Sequence, residues 1–391
     1  MIKGAGDVLV GEILSMNTTE LRERCAGSLL AGAEKVNAMS AFVGLDGFVD
    51  EIIHVVDKRE SADNFIRLPT ITNLASRLVG AAGKSTNIEL VNQITKLGGN
   101  GPIMANALAS FGLKVTYVGN LGYPSLHPVF APFAERAEVH SIAEPGHTDA
   151  LEFDDGKIML GKHYPLKEVN WANIQARYGR DKFAAKFQSA DLVAFVNWTM
   201  LPCMSEIWAA LLAELCPALS GKRRKIFFDL ADPEKRTRKD ILHALELIQE
   251  FEKYFDVLLG LNEKEAVEIG QVLGIHVPSG STPENLARLA AEINNRLPVN
   301  TVVVHPVTYA VASGNGAVSV MPGPYIAKPV ITTGAGDHFN SGFCLGKLLG
   351  LDNELCVLTG VTTSGHYVRT GRSPGIADLA AMLRQWPAPG L

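Results

Sequence analysis

The chain has 391 residues, 47% hydrophobic and 20% charged, with a formal net charge of −5. That length exceeds what one hydrophobic core usually holds, so a large α/β domain with a smaller appendage is expected, and the composition excludes a disordered chain. The acidic balance gives no electrostatic footing for nucleic acid or an anionic membrane, and no apolar run reaches the roughly 18–20 residues a bilayer crossing needs.

Residues 1–40 read as an N-terminal helical extension to a main domain over 41–391. Asn17, with Glu20 three residues on, has the form of a capping box opening a helix through LRERCAGSLLAGAEKV. Ala41–Leu45 is a short apolar strand ending in the acidic turn Asp46-Gly47-Phe48-Val49-Asp50. A polar helical segment is expected from there to about Ala82. Residues 86–97 suit a strand of imperfect alternation.

From Gly98 the pattern sharpens. Gly98-Gly99-Asn100-Gly101 is a loop, and Pro102 sits where proline is favoured, in the first turn of a helix. Met104, Leu108 and Phe111 share one helical face, and Gly112 is placed to stop the helix. Val115–Val118 is the next strand, and Ala150–Leu160 reads as a hairpin turning at Asp154-Asp155-Gly156. Leu192–Val196, Ile226–Leu230, Val257–Leu259 and Thr301–Val304 are apolar runs separated by helical stretches, notably Arg238–Tyr254 and Glu284–Arg296. Buried strands alternating with helices predict a doubly wound, mostly parallel sheet with helices on both faces. In such sheets ligands bind beyond the carboxyl ends of the strands.

The sharpest signal is Thr332-Thr333-Gly334-Ala335-Gly336-Asp337, a small-residue loop running straight into an apolar helix. Glycines let backbone N–H groups approach a ligand, and a helix N-terminus offers unpaired donors and positive dipole. A carboxylate in that turn would repel a static phosphate. It makes sense as a base that takes a proton from a hydroxyl while the loop amides stabilise a phosphoryl group in transfer. The competing reading of Asp337 is a helix cap. Asn262 and Glu265 likewise suit either a phosphate and metal site or a capping box.

These segments resemble the ribokinase (PfkB-type) carbohydrate kinases, over about residues 41–375. Gly334-Ala335-Gly336-Asp337 is similar to that family's signature, which implies that Asp337 is the catalytic base and Gly334, Ala335 and Gly336 the loop around the transferred phosphate. Asn262-x-x-Glu265 resembles its metal and phosphate motif, with Glu265 holding Mg2+ through water. Asp232–Arg236 resembles its Asp-Pro-Asn-x-Arg segment, and Thr333, Asp229 and Arg236 join the expected nucleotide and phosphate side. Gly98 and Gly99 resemble its sugar-side pair, and Asp46, Asp50 and Asn100 are the expected acceptor ligands. Asp46 reads equally well as a turn residue before Gly47. Ile103 stands where ordinary ribokinases carry a sugar-binding asparagine.

The resemblance implies a sugar kinase with a small β lid drawn from about residues 51–97 and 123–168. The lid is also the surface through which a homodimer would form. GLDGFVDEI, GGNGPIMANALASFG and VVVHPVTYAVA are also similar to the ADP-dependent sugar kinase branch. That branch's histidine would fall at Phe227, so ATP is the expected donor, with ADP close behind. The partners implied are a sugar-like acceptor and a nucleotide, and a catalytically silent binding protein on the same fold is the alternative. Five scattered cysteines, never spaced as CxxC, suit buried thiols of a cytoplasmic protein. Gly83-Lys84-Ser85 is no P-loop, since Leu78 stands where that motif needs glycine. His305 is expected to be a strand-end structural residue outside the site.

Overall fold

A computed structural model describes residues 17–387. Its strands in chain order are β1 Ser40–Leu45, β2 Phe48–Arg59, β3 Phe65–Arg67, β4 Leu90–Gly98, β5 Lys114–Gly119, β6 Glu138–Ser141, β7 Gly146–Phe153 and β8 Gly156–Lys162. There follow β9 Leu192–Val196, β10 Arg224–Asp229, β11 Phe255–Leu261, β12 Thr301–Val304, β13 Tyr309–Gly314 and β14 Ala317–Pro322. Nine of them form one sheet in the order β14-β13-β12-β11-β10-β9-β1-β5-β6. From β12 to β6 every pair is parallel, and β13 and β14 close that edge as an antiparallel hairpin. The chain is thus an α/β protein built on a mostly parallel sheet with helices on both faces.

The central strands are buried on both faces, which is why they read as unbroken apolar runs rather than alternating ones. Helices Met204–Glu214, Arg238–Phe251 and Pro283–Arg296 pack on one face around Phe195, Trp208, Phe228 and Phe251. Helices Thr19–Ala38, Asn100–Ser110, Ala335–Leu349 and Asn353–Thr370 pack on the other. The helix expected at the N-terminus is present, but its cap is Thr18, whose side chain accepts from Leu21 N, and not Asn17. Cys25, Ala26 and Leu29 bury its inner stripe in the core of the main body. Residues 1–16 of the expected extension lie outside the described residues.

A second, five-stranded sheet stands over the strand ends. β2 pairs with β3 and β4 antiparallel and with β7 in parallel, and β7 turns back into β8. The helix expected from Asp50 to about Ala82 is therefore wrong over its first half. Val49, Ile52, Ile53, Val55 and Val56 give that stretch strand preference, and only Ile71–Gly80 is helical. Alternation in β4 is weak because the strand is largely exposed and a bulge opposite Ile52 and Ile53 shifts its register. Of residues 123–168, the stretch in this sheet is 146–162, while β6 belongs to the main sheet. The hairpin β13–β14 was legible and overlooked. Asn315-Gly316 is a two-residue turn with both residues at positive φ, 54° and 73°.

Candidate active site

Carboxyl ends of the parallel strands, the five-stranded sheet and the N-terminus of the helix Ala335–Leu349 meet at two adjoining cavities. The first, about 500 Å3, is lined by Asp50 and Thr148 of the five-stranded sheet, by Gly99, Asn100 and Ile103 at the start of the helix Asn100–Ser110, and by Asp229, Asn262, Glu265, Thr333, Gly334, Gly336 and Asp337. The second, about 930 Å3, lies against Pro306, Val307, Pro324, Ile326, Ala335, Val361 and Val368. Asn262, His305 and Gly336 border both.

Gly334 opens the helix in the left-handed region, φ 90°, a conformation that would strain any residue with a Cβ. The N–H of Ala335 bonds to Thr332 O, and His338 N–H returns to Gly334 O. Among the described residues the N–H groups of Gly336 and Asp337 have no carbonyl partner, as the first turn of a helix requires. Asp337 lies in that turn, buried, and its Oδ1 accepts from Asn100 Nδ2 at 3.0 Å. Burial pushes its pKa up to about 8, against the Asn100 hydrogen bond and with the Asp46 and Glu265 charges adding to the rise.

Asp46 is not a lining residue. Its carboxylate accepts from the N–H groups of Asn100 (3.0 Å) and Gly101 (2.8 Å) and from Asn197 Nδ2 (2.8 Å), fully buried. Three donors from two other segments hold it, so it caps the helix Asn100–Ser110, and its burial outside the cavity wall keeps it from an acceptor sugar. A Cβ on Gly101 would come within 2.5 Å of Asp46 Oδ1, which is why glycine follows Asn100. Burial raises Asp46 to about 6 despite those bonds. Asp50 does line the cavity, opposite Lys96 on β4 and Thr148 on β7. Gly98 is outside the cavity wall, and any side chain there would collide with the Asp50 carboxylate. Gly99 and Asn100 line the wall directly.

Asn262 and Glu265 form the reciprocal capping box. Asn262 Oδ1 accepts from Glu265 N at 2.9 Å and Glu265 Oε2 from Asn262 N at 2.8 Å. Glu265 Oε1 accepts in addition from Asp232 N at 2.9 Å, a residue held at positive φ. Asp229 accepts from Ala231 N–H and from Asn340 Nδ2, both at 2.9 Å. Burial first, and then the charges of Glu265 and Asp337, raises the Asp229 carboxyl well above its usual range. Burial raises Glu265 as well. Arg236 points away from the cavities. Its guanidinium stacks on Trp198 at 4.6 Å and donates to the carbonyls of Thr199 and Pro202, and it is Lys235 that lines the wall.

Sequence reasoning also missed residues. Asn197, at positive φ just past the end of β9, lines the first cavity and holds Asp46. A polar residue directly after a buried strand was its available signal. His305, expected outside the site, borders both cavities, with its ring tilted on Phe339 at 4.8 Å and its Nε2 without a hydrogen-bond partner among the described residues. Phe227 is wholly buried in the core.

The comparisons with known proteins agree with this architecture. The family model of prokaryotic ketohexokinase matches residues 16–386. A ketohexokinase of Haloferax volcanii is 28% identical over 366 residues, 93% of this chain and 95% of that one. Among solved structures, the Arabidopsis thaliana ribokinase complexed with ribose and ATP superposes with a TM-score of 0.60 at 17% identity, covering 88% of this chain and 98% of that one. The nucleoside kinase of Methanocaldococcus jannaschii gives 0.56 at 14% identity, with the same coverage. The chain belongs to the prokaryotic ketohexokinase family and is a sugar kinase of ribokinase-like fold, a phosphotransferase with an alcohol group as acceptor.

Proposed function

We propose that this kinase transfers the terminal phosphate of ATP to a hydroxyl of a ketohexose, with Asp337 as the general base. The observation that carries the reading is the position of Asp337, buried in the wall of the first cavity beside Gly336, which borders both, in a helix turn where the N–H groups of Gly336 and Asp337 have no carbonyl partner among the described residues. The acceptor would occupy the first cavity, where Asp50 can accept from two neighbouring hydroxyls and Asn100 can both orient the base and donate. The nucleotide would occupy the larger cavity, whose apolar wall of Val307, Ile326, Val361 and Val368 suits a base and whose inner end reaches Ala335 and Gly336. The base takes the proton from the acceptor hydroxyl as that hydroxyl's oxygen attacks the terminal phosphorus, and the bond to the bridging oxygen breaks to release ADP. The free N–H groups of Gly336 and Asp337 meet the charge that develops on the phosphoryl oxygens.

Mg2+ fits this site as a companion of the nucleotide. Among the described residues no three His, Cys, Asp or Glu side chains converge as a metal cage. Asp229, Glu265 and Asp337 nevertheless lie close enough for the charges of the other two to raise Asp229, and for that of Glu265 to raise Asp337. Magnesium bound to nucleotide phosphates keeps most of its waters and needs only one or two carboxylates. Glu265 and Asp229 would face that water shell, and the ion would neutralise charge on the phosphates.

The test is turnover of purified chain with ketohexoses, aldohexoses, pentoses and nucleosides, each with ATP and with ADP, alongside melting curves with each magnesium nucleotide. The expected result is turnover of a ketohexose with ATP, and a larger rise in melting temperature with Mg-ATP than with Mg-ADP. Turnover with ADP in preference to ATP would overturn the donor, and no turnover of any ketohexose would overturn the acceptor.

A further inference from the structure

Beyond Asp50, Ile103 and Thr333 the acceptor cavity adjoins a third cavity of about 360 Å3, which the reaction proposed above does not use. Three cations from three separate segments line it: Lys96, Arg136 and Arg372. Gly371, at φ 69°, ends the helix Asn353–Thr370, and Arg372 stands immediately beyond it, its N–H bonded to Thr370 Oγ1. Arg136 donates to Asn106 Oδ1 at 3.3 Å, and Asn106 Nδ2 in turn donates to Ser373 Oγ at 3.2 Å, so the two arginine-bearing segments are tied together. Lys96 is half-buried on β4, where burial holds its ammonium below its usual range. Among the described residues none of the three has a carboxylate within 4 Å, and Asp50 is the one acidic residue in the lining.

A protein of net charge −5 that gathers three cations against the single carboxylate of Asp50 around one cavity concentrates positive potential there. The Thr333 hydroxyl also lines the cavity and can donate to an oxyanion, whereas the Ser373 hydroxyl donates to His338 Nε2, whose Nδ1–H is held by Gly334 O. We propose that this cavity binds a phosphate group, either free or carried on a sugar that also reaches the acceptor cavity.

The test is calorimetric titration of inorganic phosphate, and separately of a ketohexose 6-phosphate, into the full chain and its Arg136→Ala/Arg372→Ala double variant. Both substitutions are at exposed positions outside the acceptor and donor walls, so kcat and KM for a neutral ketohexose should hold within about twofold. Anion binding at the Gly334–Asp337 loop is untouched by them and cancels in the comparison. The expected result is that at least one probe binds the double variant about tenfold or more weakly than the wild type, as loss of charge-assisted hydrogen bonds implies. Loss with inorganic phosphate identifies a site for the free anion. Loss confined to the sugar phosphate, with competition against the neutral sugar, identifies an anion carried on the acceptor. Equal affinities in the two proteins, or no binding of either probe to the wild type, overturns the site. The competition measurement rests on the proposed acceptor, but the titrations need no turnover, so failure of the ketohexose reading would appear in the turnover panel and leave them readable.

Discussion

Asp337→Asn separates a base from a helix cap. Asparagine keeps the shape, still accepts the hydrogen bond from Asn100 Nδ2, and caps helices well, so the local structure should persist. What it loses is the capacity to take a proton. Removal of a general base typically lowers the rate by about 10²–10⁴, equivalent to roughly 3–5 kcal/mol of transition-state stabilisation. The raised pKa adds two signatures. With the empty-site value near 8, kcat/KM of the wild type should rise with pH up to about 8, because that parameter reports the free enzyme and only the ionised carboxylate accepts a proton. The asparagine variant should lack that limb. Stability gives the second signature. The folded carboxyl binds its proton up to about pH 8 and the unfolded one only to about 3.8, so the folded state holds the extra proton in between. Wild-type stability attributable to this group therefore falls as pH rises through that window, by about 1.4 kcal/mol per unit, and the asparagine variant escapes the loss. Steady-state kinetics from pH 6 to 9 and denaturant unfolding of both proteins at pH 6 and 7.5 measure all of this. A variant turning over within tenfold of wild type, or one that keeps the alkaline rise in kcat/KM, would refute the base assignment.

Two further substitutions test the division of the site. Asp50→Ala should raise the acceptor KM by about 10- to 100-fold, as expected for hydrogen bonds to a charged group, with nucleotide affinity nearly unchanged, and loss of nucleotide binding in a folded variant would show the two ends misassigned. Asp46→Ala should act through folding. It strands the N–H groups of Asn100 and Gly101 and the Asn197 amide, at a cost of about 2–4 kcal/mol in unfolding free energy, and an unchanged unfolding midpoint would contradict the capping role.

The apolar runs at 192–196, 226–230, 257–259 and 301–304 determined a doubly wound sheet, because strands buried on both faces need unbroken hydrophobicity. The small-residue loop at 334–337 likewise announced an anion site, since glycine takes without strain the left-handed start, φ 90°, that exposes the N–H groups. These properties belong to short segments, and short segments are what a sequence displays. Which of two acidic residues four apart faces the ligand is another kind of property. Asp46 and Asp50 lie in the same five-residue segment. Asp46 sits at the end of β1, where the N–H groups of Asn100 and Gly101, more than fifty residues away, arrive to consume it. Asp50 lies on β2, where it borders the open cavity. Arg236 and His305 traded places with expectation for the same reason. Trp198 and two carbonyls from a distant loop draw the guanidinium out of the site, while the end of β12 carries His305 to the seam between the cavities. Such assignments depend on which groups from remote segments reach a carboxylate or a cation first, and only the packed tertiary structure decides that.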